Sequence, residues 1–167
     1  MMDIADHGAM VRKETEINTV VTAVIAALLS WQIFRGQHSI AAINPPVGGM
    51  LGILPGTFNF TLLVSLALTL ITRRRVHRGL FRRLALHERN YLGTQLPRNI
   101  LARSLLLAVL ATLVFVPATV GAVWAVVRAG WISPNWSFLG MALFFVVYFV
   151  ILSMVVTPII IWRALGD

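Results

Sequence analysis

Residues able to do acid–base, nucleophilic or metal chemistry are few in this 167-residue chain. The carboxylates are Asp3, Asp6, Glu14, Glu16, Glu88 and Asp167, and all lie outside the long apolar runs. Ionisable groups inside a membrane mark proton relays and ion pathways, so proton-coupled transport through a buried carboxylate is not expected. There is no Cys, which removes a disulfide, a thiolate nucleophile and any thiolate-bound metal. His7, His38, His77 and His87 share no spacing that would gather them on a metal or a haem. The one compact set of acid–base groups is His87-Glu88-Arg89-Asn90, and a membrane enzyme would have to be centred on His87–Tyr91. No catalytic residue, metal or cofactor is expected.

Neutral polar groups carry more information. Thr57, Thr61, Ser65 and Thr69 recur every four residues. At 3.6 residues per turn their face drifts by about 40° per step, which gives a slowly winding hydroxyl stripe. Gly48, Gly52 and Gly56 continue the spacing. Small residues of this kind let helices approach closely and bond across the contact; the competing reading is the lining of a polar pathway. Asn59 and Tyr148 are the two most polar groups well inside the apolar runs, along with Gln32 near the outer end of the first. An amide without a partner in hydrocarbon is costly. Asn59 and Tyr148 are therefore expected to hydrogen-bond, directly or through a threonine.

Composition decides which elements must position these groups. The chain is 58% hydrophobic and 12% charged, against about 45–50% and 25% in a soluble domain. That excludes a water-soluble enzyme, and equally a disordered tail. Ile17–Phe34 is an uncharged run of the length a spanning helix needs, about 17–25 residues. It exceeds the roughly 7–15 apolar residues of a signal peptide, so an uncleaved first helix is expected. The second run extends from about Leu51 to Thr72, with Pro55-Gly56 near its start, where proline suits a first helical turn. The third, Leu101–Val127, has Arg103 in its first turn and Pro117 near its middle. Pro117 disturbs the carbonyl of Leu113, which Thr112 or a neighbouring helix would have to satisfy. The fourth, Phe138–Trp162, carries Pro158 and follows Ser133-Pro134, which reads as an N-cap and first helical position. The expected fold is all-α, an integral membrane bundle of four transmembrane helices. It divides into a tail (1–16), a first hairpin (17–72), an Arg-rich loop (73–99), and a second hairpin with a short tail (100–167).

The net charge is +8, and thirteen of the fourteen cations are Arg. Twelve fall on one side of this topology: Arg12 and Lys13, nine arginines from Arg73 to Arg103, and Arg163. Arg35 and Arg128 fall on the other. The positive-inside rule then places both termini and the middle loop in the cytoplasm. Trp31, Trp124, Trp131 and Trp136 cluster at the opposite boundary, with Trp162 at the Arg-rich one, as an aromatic belt would. In the loop, Val76, Leu80, Leu84 and Tyr91 approximate one helical face. That fits either an interfacial helix on anionic lipid or a solvated loop that enforces topology. Arg73, Arg74, Arg75, Arg78, Arg82, Arg83 and Arg89 are the candidate headgroup contacts. No soluble domain remains to bind nucleic acid.

Residues 23–29 (AVIAALL) resemble residues 108–114 (AVLATLV) at an offset of 85, while Gly52 and Thr69 match Gly140 and Thr157 at 88. Two hairpins entering from one side would form a parallel repeat; apolar helices also resemble one another by chance, and both readings stand. The hairpin unit, with VVTPIIIWRALGD at its end and LTLITRRRVHRG at the junction, resembles a bacterial family of small helical-hairpin inner-membrane proteins of unknown function. The resemblance implies a bacterial inner membrane and supplies no activity. HERNYLGTQLP is similar in part to the Arg/Asn motif of the glutathione- and eicosanoid-metabolising membrane family. It departs from that motif by lacking a further acidic residue around Gly93 and by following the second helix, not the first. The expected function is a non-catalytic packing or accessory subunit that contacts anionic lipid, as a homo-oligomer or with membrane partner subunits. A small homo-oligomeric uniporter or channel and a lipid-facing enzyme are the alternatives.

Overall fold

The computed structural model describes residues 4–36, 40–42, 52–79, 97 and 99–165. Four helices dominate: α1 (Ile4–Phe34), α2 (Ile53–His77), α3 (Ile100–Arg128) and α4 (Phe138–Leu165). Two short strands, β1 (Ile40–Ala41) and β2 (Asn135–Trp136), pair antiparallel with Ile40 opposite Trp136. In hydrocarbon every backbone polar group must be satisfied within its own segment, which makes helices the solution for these runs. At 1.5 Å per residue each helix is roughly 37–46 Å long, more than the ~30 Å hydrocarbon core requires. All four contain windows apolar enough to cross a membrane. Their outward residues agree: Val20, Leu28, Leu63, Leu113 and Leu139 are 64–73% exposed, a surface suited to lipid and not to water. The protein is a multi-pass, all-α membrane protein.

Two helices begin or end elsewhere than hydropathy implies. α1 starts at Ile4, so the described part of the 1–16 tail is helical and continuous with the first span. Arg12 and Glu16 form an i,i+4 pair at 3.0 Å, and Val11 is buried against Ile161 and Leu165 of α4. α2 continues past Thr72 to His77, placing Arg74, Arg75 and His77 in its last turn, where cations suit the helix dipole. Ser137 opens α4, its Oγ accepting from the Gly140 N–H at 3.2 Å. The expected Ser133 cap is displaced because β2 pairs with β1 just after it. Ser133 instead braces that turn, accepting from the Asn135 N–H and, through its carbonyl, from Trp136 Nε1. At the Pro117 step the Thr112 hydroxyl donates to the Ala108 carbonyl at 2.7 Å, so it is not the partner of Leu113.

The helices do not pack as two closed hairpins. α1 lies along α4, α2 along α3, and α2 along α4; neither α1 with α2 nor α3 with α4 packs extensively. The spatial order α1–α4–α2–α3 is unchanged when the first hairpin is exchanged for the second, which is the contact symmetry of a parallel repeat. Burial repeats at the same offsets. Ile53 and Met141, Ser65 and Ser153, and Thr69 and Thr157 are buried 88 residues apart, and Ala26 and Ala111 are buried 85 apart. The core centres on α4, whose Met141, Tyr148, Leu152 and Ile160 meet Ile53, Leu107, Ala111 and Phe34.

Candidate functional site

The hydroxyl stripe of α2 faces inward. Thr57, Thr61, Ser65 and Thr69 are all fully buried, because the four-residue spacing keeps them on the side that meets α3 and α4. Ser104 Oγ donates to Ser65 Oγ at 2.9 Å. One turn nearer the Arg-rich end, Arg103 Nη2 donates to Thr69 Oγ1 at 3.1 Å, with Arg103 itself fully buried. Towards the Trp-rich end the Thr57 hydroxyl donates to the Ile53 carbonyl and lies 2.6 Å from Tyr148 Oη. With its own proton committed, Thr57 accepts the Tyr148 proton. Thr61 Oγ1 is buried without a hydrogen-bond partner among the described residues.

A second polar cluster joins α1 to α4. Asn18 Nδ2 donates to Thr157 Oγ1 at 2.7 Å and to Ser153 Oγ at 3.0 Å, and Thr22 Oγ1 reaches Ser153 Oγ at 3.4 Å. This cluster repeats the first one. Asn18 precedes Arg103 by 85 residues and Thr69 precedes Thr157 by 88, so one donor-to-threonine contact is made twice, by an amide and by a guanidinium. Sequence reasoning missed Asn18, Thr22, Arg103, Ser104, Ser153 and Thr157 as site residues. Extending the offset that matches Thr69 to Thr157 would have carried Ser65 onto Ser153.

Asn59 does not join Tyr148, which corrects the expected link. Two residues along a helix turn the side chain by about 200°, so Asn59 points away from Thr57 and is exposed, with no partner among the described residues. Gln32 is likewise exposed at the Trp-rich end. The aromatic layer around Tyr148 includes Phe144 and Phe149, and Gly56 packs closely against it. A Cβ on Gly56 would stand 3.0 Å from the tip of the Phe149 ring.

At the Arg-rich end the Arg75 guanidinium pairs with Glu14 of α1, and Arg163 is buried. Arg73 is half-buried, whereas Arg74 and Arg78 are exposed. Arg82, Arg83, Arg89, Leu80, Leu84, the 87–91 acid–base set and Gly93 lie outside the described residues, as do His38 and Gly48. Among the described residues no three His, Asp or Glu side chains gather as a metal site. Chemically, the two clusters are cross-helix locks: their hydroxyls, amide and guanidinium bond to one another across buried helix contacts. Comparison with protein-family models, with curated proteins and with solved structures finds no match.

Proposed function

We propose that this chain is a non-catalytic accessory or packing subunit of a bacterial inner membrane, with both termini and the Arg-rich loop in the cytoplasm on anionic lipid. The observation that carries this reading is the division of its polar groups. Asn18, Thr57, Ser65 and Thr69 each bond to a side chain on another helix of the same chain, while Arg74 and Arg78 project outward at the cation-rich end. A conducting pathway would instead leave the α2 hydroxyls facing a lumen, and they face α3 and α4. Each basic residue near an anionic surface contributes about 1 kcal/mol.

The cysteine-free chain makes the test direct. His77→Cys should react with an impermeant maleimide only from the cytoplasmic side, and Trp131→Cys only from outside; the reverse pattern overturns the orientation. The double variant Arg74→Gln/Arg78→Gln should lose about 2 kcal/mol, or roughly 30-fold, of its preference for phosphatidylglycerol over phosphatidylcholine. Quenching of tryptophan by brominated lipid reads that preference. Added salt should shrink it, because exposed charges are screened. An unchanged preference removes lipid contact from the proposal, and ion flux into protein-containing vesicles replaces the accessory role with conduction.

A further inference from the structure

We infer that the outward face of α2 is a docking surface for a second copy of this chain, with Asn59 at its centre. This rests on α2 crossing the membrane and requires nothing of lipid contact at the Arg-rich end. Asn59 is exposed at about 21 Å along the helix from Arg73, taking 1.5 Å per residue, which places it within the hydrocarbon. Its neighbours on that face, Leu63 and Leu70, are apolar and 57–64% exposed. An amide on such a face finds no hydrogen-bonding group in lipid tails, and leaving it unsatisfied there is costly.

The bundle itself does not require the amide. At the matching register of α4, 88 residues on, stands Val147, which is also outward and 49% exposed. The phase of α2 keeps Asn59 away from the inward stripe, so no rotamer can bring it to Thr57 or Tyr148.

Complementarity identifies the occupant. A carboxamide carries a donor and an acceptor, so two copies related by a two-fold axis can exchange N–H···O bonds at Asn59, with the small Ala67 and the Pro55 ring on the same face. The face carries no charge before Arg74, about 22 Å along the helix. If two such helices cross near −40° at Asn59, with axes about 8–10 Å apart, their Arg74 positions separate to roughly 17 Å. That exceeds the ~8 Å Debye length at physiological salt, so like charge does not oppose the contact.

The test uses the full chain in phosphatidylcholine–phosphatidylglycerol vesicles. Asn59→Cys and Leu63→Cys should form disulfide-linked homodimers on oxidation, whereas Val147→Cys should not. By subunit photobleaching across a protein-to-lipid dilution series, Asn59→Leu should dimerise about tenfold more weakly than wild type, and Asn59→Gln should recover part of the loss. Equal dimerisation of wild type and Asn59→Leu overturns the inference. So does Val147→Cys cross-linking as well as Asn59→Cys, or capture of a different protein by Asn59→Cys in native membranes. Loss of the monomer fold in Asn59→Leu would place the amide inside the bundle and equally overturn it. The lipid preference lost in Arg74→Gln/Arg78→Gln is read separately, so either proposal can fail alone.

Discussion

Replacing Thr69 by valine is expected to destabilise the bundle by about 1.5–3 kcal/mol, clearly more than the same change at Thr157. The two positions make one contact twice, and the difference lies in the donor. Thr69 accepts from the guanidinium of Arg103, which is fully buried, and hydrogen bonds to charged groups contribute about 1.5–3 kcal/mol. Thr157 accepts from the neutral amide of Asn18, and neutral interhelix bonds in membranes average only about 0.6 kcal/mol. Asn18 also keeps Ser153 as an acceptor in Thr157→Val. Valine preserves the shape of threonine, and packing therefore contributes little to either loss. Thr61→Val supplies the control. Its hydroxyl is buried without a partner among the described residues, so removing it should be neutral or slightly stabilising. Equilibrium unfolding in bilayers by steric trapping measures all three. Equal losses at Thr69 and Thr157, or a loss at Thr61 as large as at Thr69, would contradict the assignment of Arg103 as a structural donor.

Different parts of this molecule were legible from sequence for different physical reasons. The four helices were legible because a run of about 20 apolar residues has one solution in hydrocarbon, whatever its neighbours. The stripe from Thr57 to Thr69 was legible because its spacing fixes a face before any partner is known. What faces that stripe was not. Arg103 reads as one more cation of the topology signal, and its burial follows only from α3 lying on α2. Asn18 reads as a polar residue at the edge of a run until α1 is known to lie along α4. The phase of Asn59 relative to Thr57 was calculable, but polarity alone pointed inward. The start of α1 depends on contacts remote in sequence, with Val11 on Ile161 and Leu165 and Glu14 on Arg75. The choice between Ser133 and Ser137 as the opening of α4 depends on β1, more than ninety residues upstream.

Cutting the chain between α2 and α3, within residues 80–96, is expected to give two halves that reassemble when co-expressed and fail when expressed alone. Most of the strong contacts cross between the halves. They include Asn18 with Ser153 and Thr157, Arg103 with Thr69, Ser104 with Ser65, and Thr57 with Tyr148. The ring pairs Trp31–Phe138, Phe34–Phe145 and Phe60–Phe149 cross as well, and so does the β1–β2 pairing. Within a half, α1 does not pack extensively on α2, nor α3 on α4, so a single hairpin loses these partners on the other half. The covalent link adds effective concentration, which confinement to one membrane partly replaces. Affinity capture through a tag on one half should recover the other at about half the yield of the intact chain or better. Either half alone should accumulate at least about tenfold less. Ser65→Leu in the first half should abolish capture, because overpacking a close contact costs about 1–3 kcal/mol or more and the Ser104 bond is lost with it. Two halves that each accumulate alone and ignore one another would mean that the hairpins, and not the contacts between them, are the folding units.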